Sequence, residues 1–316
     1  MNRKDIHIIS RNSNWSEQGI KEAFKKDVYP DKNVWEKFLH IFFFTLGSGF
    51  IVSGIVFFFA YNWNDLHKFV KLGIIELLII GATVYMLLSK LDLKFKNIIL
   101  TVVAITVGVL IAVYGQIYQT GANAYDFFLG WVLYITLWVI ISGFPPLWLV
   151  YIILMNTTFV LYTEQVSTGW SDLLIVTVLS VMNTLCLIIF HIIPFIKKNI
   201  SIPVWFTNVL AIASVFLITM GIITGIFDQH QSSFYLLPVF TIVVYGAGLI
   251  YAFFIKKIFY LAIIPFSLII ICSALFVKTS DESAAIFLVI GIFIIASISL
   301  LIKFLLTIQK RWKDGA

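Results

Sequence analysis

Three consecutive pieces decide the fold: Val102–Tyr114 (VVAITVGVLIAVY), Gly115–Asp126 (GQIYQTGANAYD) and Phe127–Ser142 (FFLGWVLYITLWVIIS). The flanking pieces are apolar and uncharged. The connector between them is polar, rich in amides and tyrosines, and free of Lys and Arg. Crossing a hydrocarbon core takes about 20 predominantly apolar helical residues. Each flank therefore reads as part of a membrane span, and the connector as the turn between two spans.

Working outward, the same pattern recurs. Apolar runs cover residues 38–61, 69–89, 98–115, 127–143, 147–163, 171–193, 203–227, 234–255, 258–277 and 285–306. The runs are continuous rather than alternating, which selects helices and excludes a transmembrane barrel. Composition agrees: 60% of the 316 residues are hydrophobic and 12% are charged, against roughly 25% charged in soluble domains. The expected fold is an all-α polytopic transmembrane bundle of about ten spans with a small cytosolic helical N-terminus. Its expected domains are residues 1–37, a first five-span domain at 38–163, and a second at 164–316 with a short basic tail.

The polar first segment is nearly balanced in charge and lacks the short apolar core of a signal peptide. Ser16 to Lys26 reads as a helix with Ile20, Ala23 and Phe24 on one face. Pro30 then breaks the chain, and Asp31 is placed to cap a second helix running directly into the first span.

Placement of the cations sets the orientation. With the N-terminus cytoplasmic, nineteen of the 22 Lys and Arg fall on the inner side, leaving Lys68, Lys71 and Lys278 outside. Trp63, Trp131 and Trp170 then lie near the outer interface, and Trp35, Trp148, Trp205 and Trp312 near the inner one. A bacterial inner membrane with both termini cytoplasmic is expected. The net charge of +6 forms no stripe with stacking aromatics, so nucleic acid is not an expected partner.

Small residues at four-residue spacing mark candidate close helix contacts: Ala104, Gly108, Ala112 and Gly115; Gly221 and Gly225; and, more weakly, Gly49 and Ser53. Gly143-Phe144-Pro145-Pro146 reads as a tight turn. Pro203 is expected to open span seven as its first residue, Pro265 to kink span nine, and Pro238 to bend span eight mildly.

Under this orientation the polar groups collect on the outer face. Asn62, Asn64 and Asp65 follow the first span. Gln116, Tyr118, Gln119, Asn123, Tyr125 and Asp126 lie in or beside the central connector. Paired amide donors and acceptors with phenolic hydroxyls suit hydrogen bonding to a polar solute or head group; equally, such residues cap helix ends and form turns. Glu76 lies about 10 Å into span two at 1.5 Å per residue, a depth at which a carboxylate is costly and points to function or an interhelical bond. Asn156, Asn183 and Asn208 also fall at membrane depth and are expected to bond helix to helix. Cys186 and Cys272 lie in apolar runs, which argues against a disulfide framework or a Cys-based metal site. No phosphate-binding glycine loop, H-E-x-x-H or nucleophile elbow is present, so no cofactor, metal or catalytic residue is assigned. Asp65, His67 and Asp126 are the one combination from which acid–base chemistry could be built.

Two of these segments resemble a known family. Ala60-Tyr61-Asn62-Trp63-Asn64-Asp65-Leu66 is similar to the AxNW segment of predicted bacterial membrane proteins grouped as domain of unknown function (DUF) 2157. Gly115-Gln116-Ile117-Tyr118-Gln119, with Tyr125-Asp126 and Leu129-Gly130-Trp131, is similar to that family's GQxYQ…D…LW segment. The resemblance covers residues 10–165 and implies a multi-pass bacterial inner-membrane protein without an assigned activity. Three functions are then open. The first is a transporter or permease-like protein for a small polar or ionic solute. The second is a binding or assembly protein engaging an envelope protein or a lipid of the surrounding bilayer. The third is a membrane enzyme acting on a lipid-linked substrate.

Overall fold

The computed structural model describes residues 6, 9–10, 14–27, 32–61, 64–167, 169–197, 201–228, 235–279 and 284–314. Among the described residues the regular structure is helical, and ten helices are long and apolar enough to cross a membrane. A short helix, α1 (Glu17–Asp27), precedes the spans α2 (Lys32–Tyr61), α3 (Lys68–Leu88), α4 (Leu93–Tyr118), α5 (Ala124–Ser142) and α6 (Pro145–Gln165). The remaining spans are α7 (Asp172–Ile196), α8 (Val204–Phe227), α9 (Leu236–Phe254), α10 (Ile258–Thr279) and α11 (Ala284–Asp314).

Local chemistry sets the helix ends. The Ser16 Oγ accepts the Gly19 N–H at 3.1 Å and caps α1. Asp31, the expected cap of α2, lies outside the described residues, as do the side chains of Ala23 and Phe24. The α2 helix runs unbroken from its polar start into the first span, as expected. Ser171 caps α7 by accepting the Leu174 N–H. Several helices overrun their apolar runs. The α4 helix begins at Leu93 and ends at Tyr118, because polar residues that are not breakers let a helix continue past the edge of its hydropathy. It stops where Gln119 turns left-handed (φ 43°).

Two proline expectations need correction. Pro203 is the N-cap of α8, one position before the first helical residue. Pro238 is the third residue of α9, where no helical N–H bond exists to be lost, so it starts that helix without bending it. Pro194 lies inside α7, which runs on to Ile196 beyond the end of the apolar run. Pro265 does lie inside α10.

The chain divides into two compact units, residues 1–122 with 130–144, and residues 123–129 with 145–316. In the first, α4 is the axis, and α2 and α3 pack on it. Phe59, Ile75 and Val113 form its core. Trp131 drops its indole onto α4 at Gly108, where an added Cβ would overlap the ring, and its Nε1–H donates to the Ala104 carbonyl at 2.8 Å. So Gly108 is a close-contact glycine, and Trp131 is a half-buried packing residue of this unit rather than an interfacial anchor alone. Gly49 and Gly115 meet nothing within 4 Å.

In the second unit α8 is the axis, with α7, α9 and α10 against it. Its buried face recurs every three or four residues: Phe206, Leu210, Ser214, Ile218, Gly221 and Gly225. A Cβ on Gly221 would come within 2.6 Å of the Leu237 side chain, so this glycine lets α9 approach.

Candidate functional site

The expected polar residues divide between the units. In the first, Asn64 and Asp65 are exposed in the turn before α3, and Asn62 lies outside the described residues. The His67 Nδ1 accepts the Phe69 N–H at 3.4 Å and caps α3. Gln116, Tyr118 and Gln119 are exposed at the end of α4. There the Tyr114 and Tyr118 rings lie 4.6 Å apart, and Lys68 Nζ is 5.9 Å from the Tyr118 ring centre. Glu76 is exposed on α3. Lys71, about 140° around the same helix at 100° per residue, is instead buried, with 7% of its surface exposed. The cation count set Lys71 on the outer side, near the start of the second apolar run; its burial comes from a turn of α3 that also buries Ile75.

In the second unit the polar residues secure a helix start. The Asp126 Oδ2 accepts the Asn123 N–H at 3.1 Å, the return bond of a capping box. The Gln165 side chain, from the end of α6, accepts the Tyr125 N–H at 3.1 Å, and the Tyr125 and Tyr162 rings meet edge to face at 5.4 Å. These groups are occupied by the orphan donors that open α5.

The interior of the second unit holds both an expected polar pair and chemistry that spacing did not reveal. Asn156 and Asn183 exchange reciprocal amide bonds of 3.1 and 3.0 Å between α6 and α7, as expected of them. The Asn208 Oδ1 is buried with no partner among the described residues, against the expected interhelical bond. Three hydroxyls link α8, α9 and α10. Thr219 donates to the Val215 carbonyl, which only accepts, so Thr219 must accept from Ser267 (2.6 Å), and Ser267 from Tyr245 (2.7 Å). Donation therefore runs Tyr245 to Ser267 to Thr219, with each hydroxyl proton committed.

Beside this chain α7, α8, α9 and α10 enclose a cavity of about 540 Å³. Its floor is Ala211, Ser214, Ile218, Tyr245 and Ile264, all buried. Its rim includes Ile188, Ile192, Phe195 (73% exposed) and Val243 (64% exposed), so it opens sideways through the outer faces of α7 and α9. From Thr184 to Phe195 its wall on α7 extends about 16 Å. Thr184 is buried on that wall, and its Oγ1 has no hydrogen-bond partner among the described residues.

One end of an otherwise apolar cavity carries three side chains with polar groups. His191, Tyr251 and Tyr260 line it, their rings packed edge to face at 5.2 to 6.0 Å. The His191 Nδ1 is 2.9 Å from the Leu187 carbonyl, so in the neutral ring Nδ1 carries the proton. Nε2 is then an acceptor, and the Tyr260 hydroxyl 3.1 Å away donates to it. Tyr251 has no hydrogen bond to its hydroxyl among the described residues. A lone His in an apolar run was legible in the sequence, but its partners lie 60 and 69 positions downstream.

Both cysteines are free, and among the described residues no three His, Cys, Asp or Glu side chains gather as a metal site. Comparison with curated proteins and with solved structures gives no match. One family does match, and it covers α2 to α5 with parts of α1 and α6: residues 20–148 fit the family described as "Predicted membrane protein (DUF2157)".

Proposed function

We propose that the protein is a membrane-embedded lipid-binding protein that takes one acyl chain of a bilayer lipid sideways into its second unit. The carrying observation is the apolar cavity of about 540 Å³ with an exposed apolar rim and one polar end. Its size falls within the roughly 300–1,000 Å³ of small-molecule sites. A dry apolar void forfeits packing contacts, and the neighbouring solvent of such a rim is lipid.

A phospholipid with a photoreactive acyl chain tests this in vesicles. Label is expected on peptides of α7 and α8. Ala247→Trp, at an exposed cavity-lining position, should reduce it without disturbing the buried core. Excluding even two methylenes, at about 0.8 kcal/mol each, lowers affinity about tenfold. Equal labelling of the two proteins at α7 and α8 refutes the reading.

A second reading is permease-like handling of a small polar solute at the first unit. It is favoured by the approach of Lys68 to the Tyr118 ring, which brings a cation to the end of α4 carrying Gln116 and Gln119. In this reading Asn64, Asp65, Gln116, Tyr118 and Gln119 receive the solute and Glu76 acts deeper in the bilayer. Solute counterflow unaltered by Glu76→Gln and Gln116→Ala removes it. Both readings go with a bacterial inner membrane and cytoplasmic termini, supported by the nineteen of 22 cations on one side. A reporter at Gln119 facing the cytosol reverses that orientation.

A further inference from the structure

Resting on the lipid-binding reading, we infer that the second unit selects an anionic phospholipid, holding its phosphate at the His191–Tyr251–Tyr260 end of the cavity against Lys256 and Lys257. Charge placement carries this. The polar end of the cavity is the end at which α7 finishes, α9 finishes and α10 begins. The described residues of the two connectors there, 197, 201–203 and 255–257, contain Lys197, Lys256 and Lys257 and no Asp or Glu. The last turns of α11 add Lys310 and Arg311; Trp312 from this stretch packs on Phe253 of α9.

The turn after α9 carries two cations, Lys256 and Lys257. The Lys257 N–H donates to the Ala252 carbonyl at 2.9 Å, and Lys256 takes a left-handed φ of 54°. Lys257 is half-buried. The first N–H groups of α10, a 22-residue helix, open at the same turn.

Donor accounting then assigns the groups. Tyr260 spends its proton on His191, so it orients the imidazole and offers a head group only its lone pairs. Tyr251 brings a hydroxyl proton and the lysines bring ammonium protons, so donors outnumber acceptors at this mouth. That set suits a phosphate monoanion. It does not suit a head group whose own ammonium already neutralises its phosphate, because that cation would sit against Lys256 and Lys257.

The test uses the full-length protein in vesicles and two photoreactive lipids with identical chains, phosphatidylglycerol and phosphatidylcholine. Wild type should label more strongly with phosphatidylglycerol. Each surface cation gives about fivefold, from ~1 kcal/mol per Lys near a membrane surface, and the preference should fall as salt rises. Lys256→Gln with Lys257→Gln should bring the two lipids level, and Tyr251→Phe should weaken phosphatidylglycerol labelling while Tyr260→Phe weakens it less. Equal labelling in wild type overturns the head-group inference and leaves chain binding standing. A preference that survives loss of both lysines overturns their role. Labelling no stronger than in Ala247→Trp overturns chain binding and the inference with it.

Discussion

Gly108→Ala tests the packing of the first unit, because its two energetic terms have opposite signs. In a helix with nothing nearby, Ala in place of Gly gains about 0.8–1 kcal/mol. At Gly108 the new methyl would occupy the space of the Trp131 indole. The ring is rigid and is held by its Nε1–H bond to the Ala104 carbonyl, so it must move as a body. Overpacking costs about 1–3 kcal/mol, and a lost hydrogen bond adds about 1 kcal/mol. The net expectation is destabilisation by about 1–3 kcal/mol.

The same substitution in a Trp131→Ala background no longer meets the indole. There it should be neutral or stabilising by up to about 1 kcal/mol, so the two sites should couple by about 2–3 kcal/mol. Equilibrium unfolding in mixed micelles, followed by helical circular dichroism, measures all four proteins without relying on tryptophan emission. If Gly108→Ala matches or exceeds wild-type stability while Trp131 is present, the indole does not lie on Gly108 and this account of the unit fails.

Ser267→Ala should cost about 1–2 kcal/mol, since it strands the buried Tyr245 hydroxyl and removes the donor to Thr219. Adding Tyr245→Phe should recover most of the loss in the same unfolding assay; failure to recover would mean the hydroxyls are not linked in series. Asn183→Leu should cost about 1 kcal/mol, within the range of interhelical bonds in membranes, because it orphans both ends of the Asn156 amide. Asn156→Leu with Asn183→Leu should be milder than Asn183→Leu alone, and additive losses would show that the two amides do not pair.

Ten spans were legible because bilayer length is written locally: each run declares itself within about 20 residues. The resemblance at Gly115–Gln119 and Leu129–Trp131 was local as well, and it falls within the matched stretch, residues 20–148. What was not legible is which polar groups meet. Trp131 and Ala104 are 27 positions apart, Thr219 and Ser267 48, and His191 and Tyr260 69. No periodicity carries information across such distances.

The connectors drew the reading because their segments are visibly polar, and there the structure gives Asp126 and Gln165 to helix-end N–H groups. The groups with the fewest alternatives are the ones buried in apolar runs. An exposed Gln119 has solvent as a partner. Ser267, closed inside its unit, has Tyr245 and Thr219. In a bilayer the cost of an unmet hydrogen bond rises as partners become scarce, so a polar residue there constrains its neighbours more tightly the more apolar its own stretch of sequence is. His191 and Tyr260 follow that rule, and it is why the polar mouth of the cavity lies on three helices that each read, alone, as ordinary apolar spans.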